Sequence, residues 1–194
     1  MTEYNRVNHT FSSLKETLRS RHLSGVEDVV DAVVALLLYA NGSDLDLLLI
    51  HRAERTNDPW SGQIGLPGGR VAQSDPSTRS ALRREVIEEI GVDLIEESEE
   101  LGTLSIGSPM RRLDMRVQPW VYKLPKRPEI TTGPEVQDAF WISVFNLPSL
   151  KASTEIEIRG IRREVDAFLV DGRVVWGYTH RVLNELLSVL NRDN

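Results

Sequence analysis

Three glutamates, Glu85, Glu88 and Glu89, share one short segment that follows a glycine turn and stops at Gly91. The stretch from Gly62 to Val92, GQIGLPGGRVAQSDPSTRSALRREVIEEIGV, constrains this chain more than any other. Pro67-Gly68-Gly69 signals a turn, because glycine adopts backbone angles that other residues avoid. Asp75 has the chemistry of a helix N-cap, Pro76 suits a first turn and Gly91 is a natural stop, so a helix over 76–90 is expected. At about 100° per residue, Leu82, Val86 and Ile90 fall on one face and the glutamates on a neighbouring arc about 100° wide. One face packs and another presents carboxylates. A solvated acidic face is the competing reading, since exposed like-charge pairs cost only roughly a few tenths of a kcal/mol each. Arg84, Gly91 and the upstream glycines, in fixed order around the glutamates, favour a site.

Three carboxylates on one arc make a hard oxygen-ligand set, which suits Mg²⁺ or Mn²⁺. Such an ion offsets their repulsion and gives a diphosphate a place to dock. The backbone carbonyl of Gly69 is the natural candidate to complete the coordination, and Arg84 to brace the carboxylates. Rival chemistries lack support. The chain has no cysteine, its histidines (His9, His22, His51, His180) are scattered, and it contains neither a G-x-S-x-G elbow nor a G-x-x-x-x-G-K-[ST] loop.

Across 194 residues the net charge is −6, which argues against a generic nucleic-acid binder and makes an anionic substrate dependent on metal ions or clustered arginines. No stretch has the apolar core of a signal peptide or the length of a membrane span, so no membrane partner and a cytoplasmic location are expected. A single domain over 1–194 is expected, with a polar N-terminal segment and a helix near 11–22 ending at Ser24-Gly25. Val29–Tyr39 reads as a buried strand and Leu45–His51 as its return, before a break at Asn57-Asp58-Pro59. Gly102–Gly107, Val117–Leu124 and Phe140–Ile142 read as further strands, with Pro119 favouring an edge or a bulge. Glu155–Val175 suggests a hairpin turning at Asp171-Gly172, and a last helix starts near Thr179.

The segment Arg84–Val92 fits R-E-U-x-E-E-x-G-U, with U aliphatic, and so resembles the signature half of the Nudix box, G-x5-E-x7-R-E-U-x-E-E-x-G-U. Between Gly69 and Arg84 there is one residue more than the standard spacing, and Asp75 stands where the first glutamate is expected. In both respects the chain is similar to the branch of Nudix hydrolases acting on coenzyme A. That branch carries L-L-x-x-R-[SA]-x3-R-x3-G-x3-F-P-G-G upstream, which Leu48–Ala53 and Gly62–Gly69 resemble. Leu66 replaces the phenylalanine, and Asp58 stands in place of the second arginine after one extra residue. Trp176–Arg181 also looks like the start of that branch's last helix.

The resemblance implies an α/β/α sandwich with a mixed β-sheet and attack of water on a diphosphate, with Mg²⁺ or Mn²⁺ required. From coenzyme A or acyl-CoA the products would be 3′,5′-ADP and (acyl-)4′-phosphopantetheine. ADP-ribose or another nucleoside diphosphate derivative, or nucleotide binding without cleavage, are the alternatives. Glu85, Glu88 and Glu89 match the family's metal ligands, with Gly69 beside them. Glu88, Glu89 and Arg84 form the catalytic group, joined by Glu135 as an extra base or ligand unless it is a solvated loop residue. Arg52, Arg111 and Arg112 are candidates for substrate phosphates, or else surface ion pairs. The implied partner is a small-molecule diphosphate, and a homodimer stays open.

Overall fold

The computed structural model describes residues 3–21, 29–56, 60–110, 112–158 and 160–191. His22, the helix stop expected at Ser24-Gly25, the break at Asn57-Asp58-Pro59 and Arg111 fall outside them. The first apolar run is β1 (Ala32–Asn41), and β2 (Asp44–Arg52) returns across Gly42, whose φ of 62° suits glycine. The two strands pair only near the turn, from Leu38↔Leu47 to Asn41↔Asp44. Beyond it they part, and the chain that follows fills the gap. There β3 (Ile64–Gly65) lies on β2, and β4 (Gly68–Arg70) lies on β1. Ala35 N–H donates to the Pro67 carbonyl and Arg52 N–H to that of Gln63, so both ladders continue through the insert.

β5 (Glu99–Thr103) and β6 (Val117–Leu124) complete one side of the sheet, with β6 parallel to β1 and β5 antiparallel to β6. On the other side β7 (Val136–Ser143) pairs with the outer edge of β2, giving a mixed sheet of seven strands. Of the edge or bulge expected for β6, the edge is corrected, for β1 and β5 flank it on both sides, while the β5 ladder shifts register between Glu100 and Gly102. Pro119 is tolerated because its carbonyl faces away from β1, accepting from Leu104 N–H, so its missing donor costs no bond in the β1 ladder. A second sheet has the order β10-β9-β8, from β8 (Lys151–Ile158), β9 (Ile161–Val170) and β10 (Arg173–Trp176). The hairpin turn is at Asp171-Gly172 as expected, with φ of 48° and 77°.

Alternation along the strands divides the core in two. Val33, Ala35 and Leu37 of β1 and Leu48 and Ile50 of β2 pack against Leu82, Val86 and Ile90 of α2 (Thr78–Ile90). The opposite face, with Leu36, Leu38, Leu47 and Leu49, packs against α1 (Glu3–Arg21) and α4 (Gly177–Leu190). A short α3 (Leu94–Glu97) links α2 to β5. Each fully buried leucine-sized side chain contributes about 1.5–3 kcal/mol, so this two-sided burial is the main source of stability. The layers are helix, mixed sheet, helix: an α/β/α sandwich. The first helix begins at Glu3, not near 11, although Phe11, Leu14 and Leu18 are the buried stripe that the sequence predicts. No helix among the described residues is long and apolar enough to cross a membrane.

Candidate active site

The insert between β1 and β2 brings the glycine turn over α2. Gly68 has φ +140°, and a Cβ there would lie 2.2 Å from the Val33 carbonyl oxygen. A Cβ on Gly69 would lie 2.2 Å from a Glu85 carboxylate oxygen. One glycine lets backbone meet backbone, and the other lets backbone meet carboxylate. The helix beneath starts later than expected, with Ser77 as N-cap accepting from Ser80 N–H. Asp75 has a different task. It accepts from the backbone N–H of Ala72 and takes two bonds from the Arg84 guanidinium, at 3.1 and 2.9 Å. The Arg84 bonds come first among the causes that hold its carboxyl below the usual carboxylate range. Gly91 ends α2 as expected, in the left-handed region at φ 74°.

The three glutamates occupy three environments. Glu89 is only 3% exposed, accepts from Gly68 N–H at 2.7 Å, and meets Arg52 Nη1 at 3.3 Å. Burial pushes its pKa up to about 7, against the pull of the Gly68 N–H and Arg52. Glu85, also raised by burial, accepts from Arg84 Nη1 at 2.8 Å. Glu88 is 59% exposed along its side chain and lies 3.4 Å from the same nitrogen. Arg84 thus braces Asp75, Glu85 and Glu88 and also donates to the Arg70 carbonyl, joining β4 to α2. Asp75 leads the groups that raise its pKa.

Glu135 reaches the site from a loop fixed to the end of α2, where Thr131 and Gly133 N–H groups donate to the carbonyls of Ile90 and Glu89. Its carboxylate faces Arg55 Nη1 at 2.7 Å and Arg52 Nη2 at 3.6 Å. Arg52 and all three helix glutamates, with Gly69 and Glu135, line one cleft of about 660 Å³. Arg112 is not among the lining residues, and its guanidinium is taken by Asp114. His51 is structural, bonded to the Gly62 carbonyl. Two features in and beside the cleft escape the sequence reading. One is Arg55, which is not among the lining residues but holds Glu135, which is. The other is an apolar wall of the cleft including Trp60, Met110, Met115, Trp176 and Tyr178. Tyr178 donates its hydroxyl to the Val117 carbonyl, and burial raises its pKa to about 12.

The donor set fits a divalent cation. It is made of hard oxygens, and the raised pKa values of Glu89 and Glu85 register buried negative charge that a cation would offset. Among the described residues no three such side chains are grouped as metal ligands; Arg84 contacts Glu85 and Glu88, and Gly68 N–H donates to Glu89.

Comparison with known proteins agrees with this geometry. The NUDIX domain model matches residues 29–164, more than half of the chain. The chain belongs to the Nudix family. An uncharacterized protein of Schizosaccharomyces pombe is 33% identical over a match of 126 residues that covers 60% of this chain and 37% of that protein. The chain therefore spans well under half the length of that relative. Among solved structures, a MutT/nudix family protein from Enterococcus faecalis superposes with a TM-score of 0.51 at 21% identity, covering 91% of this chain and 69% of that one. A bifunctional NMN adenylyltransferase/ADP ribose pyrophosphatase from Francisella tularensis gives 0.51 at 18% identity, over 94% of this chain and 47% of that one. Both likenesses concern the Nudix fold.

Proposed function

We propose that this Nudix protein is a metal-dependent pyrophosphohydrolase of a nucleoside diphosphate-linked substrate, coenzyme A or acyl-CoA in the first place. The observation that carries the reading is the cleft, which joins the glycine-roofed glutamates to an apolar wall. Glu85, Glu88, Glu89 and the Gly69 carbonyl would hold Mg²⁺ or Mn²⁺. When bound, such an ion neutralises phosphate oxygens and lowers the pKa of bound water. Glu85 and Glu88 must turn from Arg84 to reach it, while Asp75 keeps the guanidinium in place. Glu89 is buried under Gly68, and without the ion burial raises its pKa to about 7; a bound dication would hold it ionised. Water adds to one phosphorus of the diphosphate and the bridging P–O bond breaks, giving two phosphomonoesters and a released proton. From coenzyme A these are 3′,5′-ADP and 4′-phosphopantetheine.

The coenzyme A assignment rests on the lengthened loop with Asp75, together with the methionines and aromatics of the cleft. A flexible, largely apolar arm suits such a wall. A cytoplasmic location goes with this substrate. The test is turnover of coenzyme A, acyl-CoA, ADP-ribose and other nucleoside diphosphates by purified protein with Mg²⁺ or Mn²⁺. Hydrolysis of ADP-ribose but not coenzyme A would overturn the substrate, and no turnover of any diphosphate would overturn the activity.

A further inference from the structure

Arg52, Arg55 and Glu135 are brought together across the chain by backbone bonds. Ala53 N–H donates to the Glu135 carbonyl at 2.9 Å and Arg52 N–H to the Gln63 carbonyl at 3.0 Å. Both oxygens of the Glu135 carboxylate face a guanidinium, Oε1 that of Arg55 and Oε2 that of Arg52. Arg55 has a second anchor, donating from Nη2 to the Pro134 carbonyl at 3.0 Å, which orients its guanidinium independently of the carboxylate. Arg52 also reaches Glu89, so the arrangement adjoins the buried acid.

We propose that Arg52 and Arg55 form a two-guanidinium clamp for a substrate phosphate, and that Glu135 holds the clamp until that phosphate displaces it. Guanidinium forks fit carboxylate and phosphate oxygens with the same geometry, so one anion can replace the other without rebuilding the site. The side chains of Arg55 and Glu135 are 41% and 49% exposed. A pair so open to water is weak, and a phosphate of higher charge competes well against it. While clamped, Glu135 has both oxygens turned to arginine and is not available as a base or ligand. Displacement frees it at the mouth of the cleft, coupling arrival of substrate to release of an acidic group. This inference rests on the proposed function only for the identity of the anion.

The test is calorimetric titration of the full chain with ADP in the presence of a chelator, which reads binding without hydrolysis. Glu135→Gln should tighten ADP binding about three- to tenfold, and Arg55→Gln should weaken it about fivefold or more. In the double variant the tightening by Glu135→Gln should fall below about twofold, because the clamp it opens has lost one arm. Glu129→Gln, at an exposed glutamate outside the cleft wall, should leave the Kd unchanged. No tightening in Glu135→Gln, or undiminished tightening without Arg55, would overturn the clamp. The expected pattern in a protein that hydrolyses no diphosphate would support the clamp and remove the proposed activity instead.

Discussion

The inner and outer arcs of α2 carry adjacent residues of one type in opposite surroundings. Glu89 is 3% exposed beneath the glycine turn, whereas Glu88 is 59% exposed along its side chain. On the inner arc a carboxylate has lost its water and depends on one backbone N–H and a shared arginine. On the outer arc a carboxylate keeps its water and has one long ion pair, to Arg84 at 3.4 Å. The difference teaches that the acidic face is not a uniform ligand patch. Its buried member is fixed by the fold, and its exposed member is tied only by a long, water-exposed pair to Arg84.

The largest expected effect tests the inner arc directly. Glu89→Gln should lower kcat by about a thousandfold or more in a diphosphate hydrolysis assay with Mg²⁺ or Mn²⁺, as loss of a proton-transfer group and metal ligand would. Turnover within about tenfold of wild type would detach this helix from the chemistry. Next is the roof over the inner arc. Gly68→Ala puts a methyl against the Val33 carbonyl at a positive φ and should cost about 3 kcal/mol in denaturant unfolding. A loss below about 1 kcal/mol would show that the turn yields easily.

The same contrast has a pH signature in chelator. The pKa of Glu89 is raised from 4.5 to about 7 in the folded state, so folding favours the protonated acid. That contribution is full below pH 4.5 and is lost as pH rises through about 7. Wild type should therefore lose about 2–3 kcal/mol of stability from this group between pH 5 and pH 8. Glu89→Gln cannot ionise and should flatten the profile, which thermal melts at the two pH values would read. Arg84→Ala, which removes the brace between the arcs, should weaken metal affinity roughly 10- to 100-fold. The smallest effect belongs to the outer arc, where Glu88→Gln should change chelated stability by less than about 0.5 kcal/mol.

Features with local causes are legible in the sequence. Val117–Leu124 carries a β-rich pattern and forms β6 with those bounds. Asp171-Gly172 supplies the positive φ angles that its hairpin needs, and Gly91 ends α2 for the same reason. Distant partners decide the rest. Asp75 has the composition of an N-cap, yet Arg84, nine residues on, draws it into the brace and leaves Ser77 to cap the helix. Arg55 lies in a polar stretch with no periodic signal, and its partner Glu135 is 80 positions away. β8, KASTEIEI, has no buried residue in its described run. Exposed and half-buried positions alternate along it without a fully buried face, so the sequence shows a hairpin arm only from Glu155, and pairing with β9 extends the strand back to Lys151. Pro119 misleads because the orientation of its missing donor depends on which neighbour each edge of β6 faces.

Gly68 and Gly69 belong to a rung of the sheet, whereas residues 71–77 lie between that rung and α2. Chain length is therefore constrained unequally on the two sides of Arg70. An added residue before it would shift the register of β4 on β1 and move Gly69 off Glu85. One added after it only lengthens a surface connection, at small entropic cost. The extra residue between Gly69 and Arg84 can be absorbed there, in a turn tied by Asp75 to both Ala72 and Arg84.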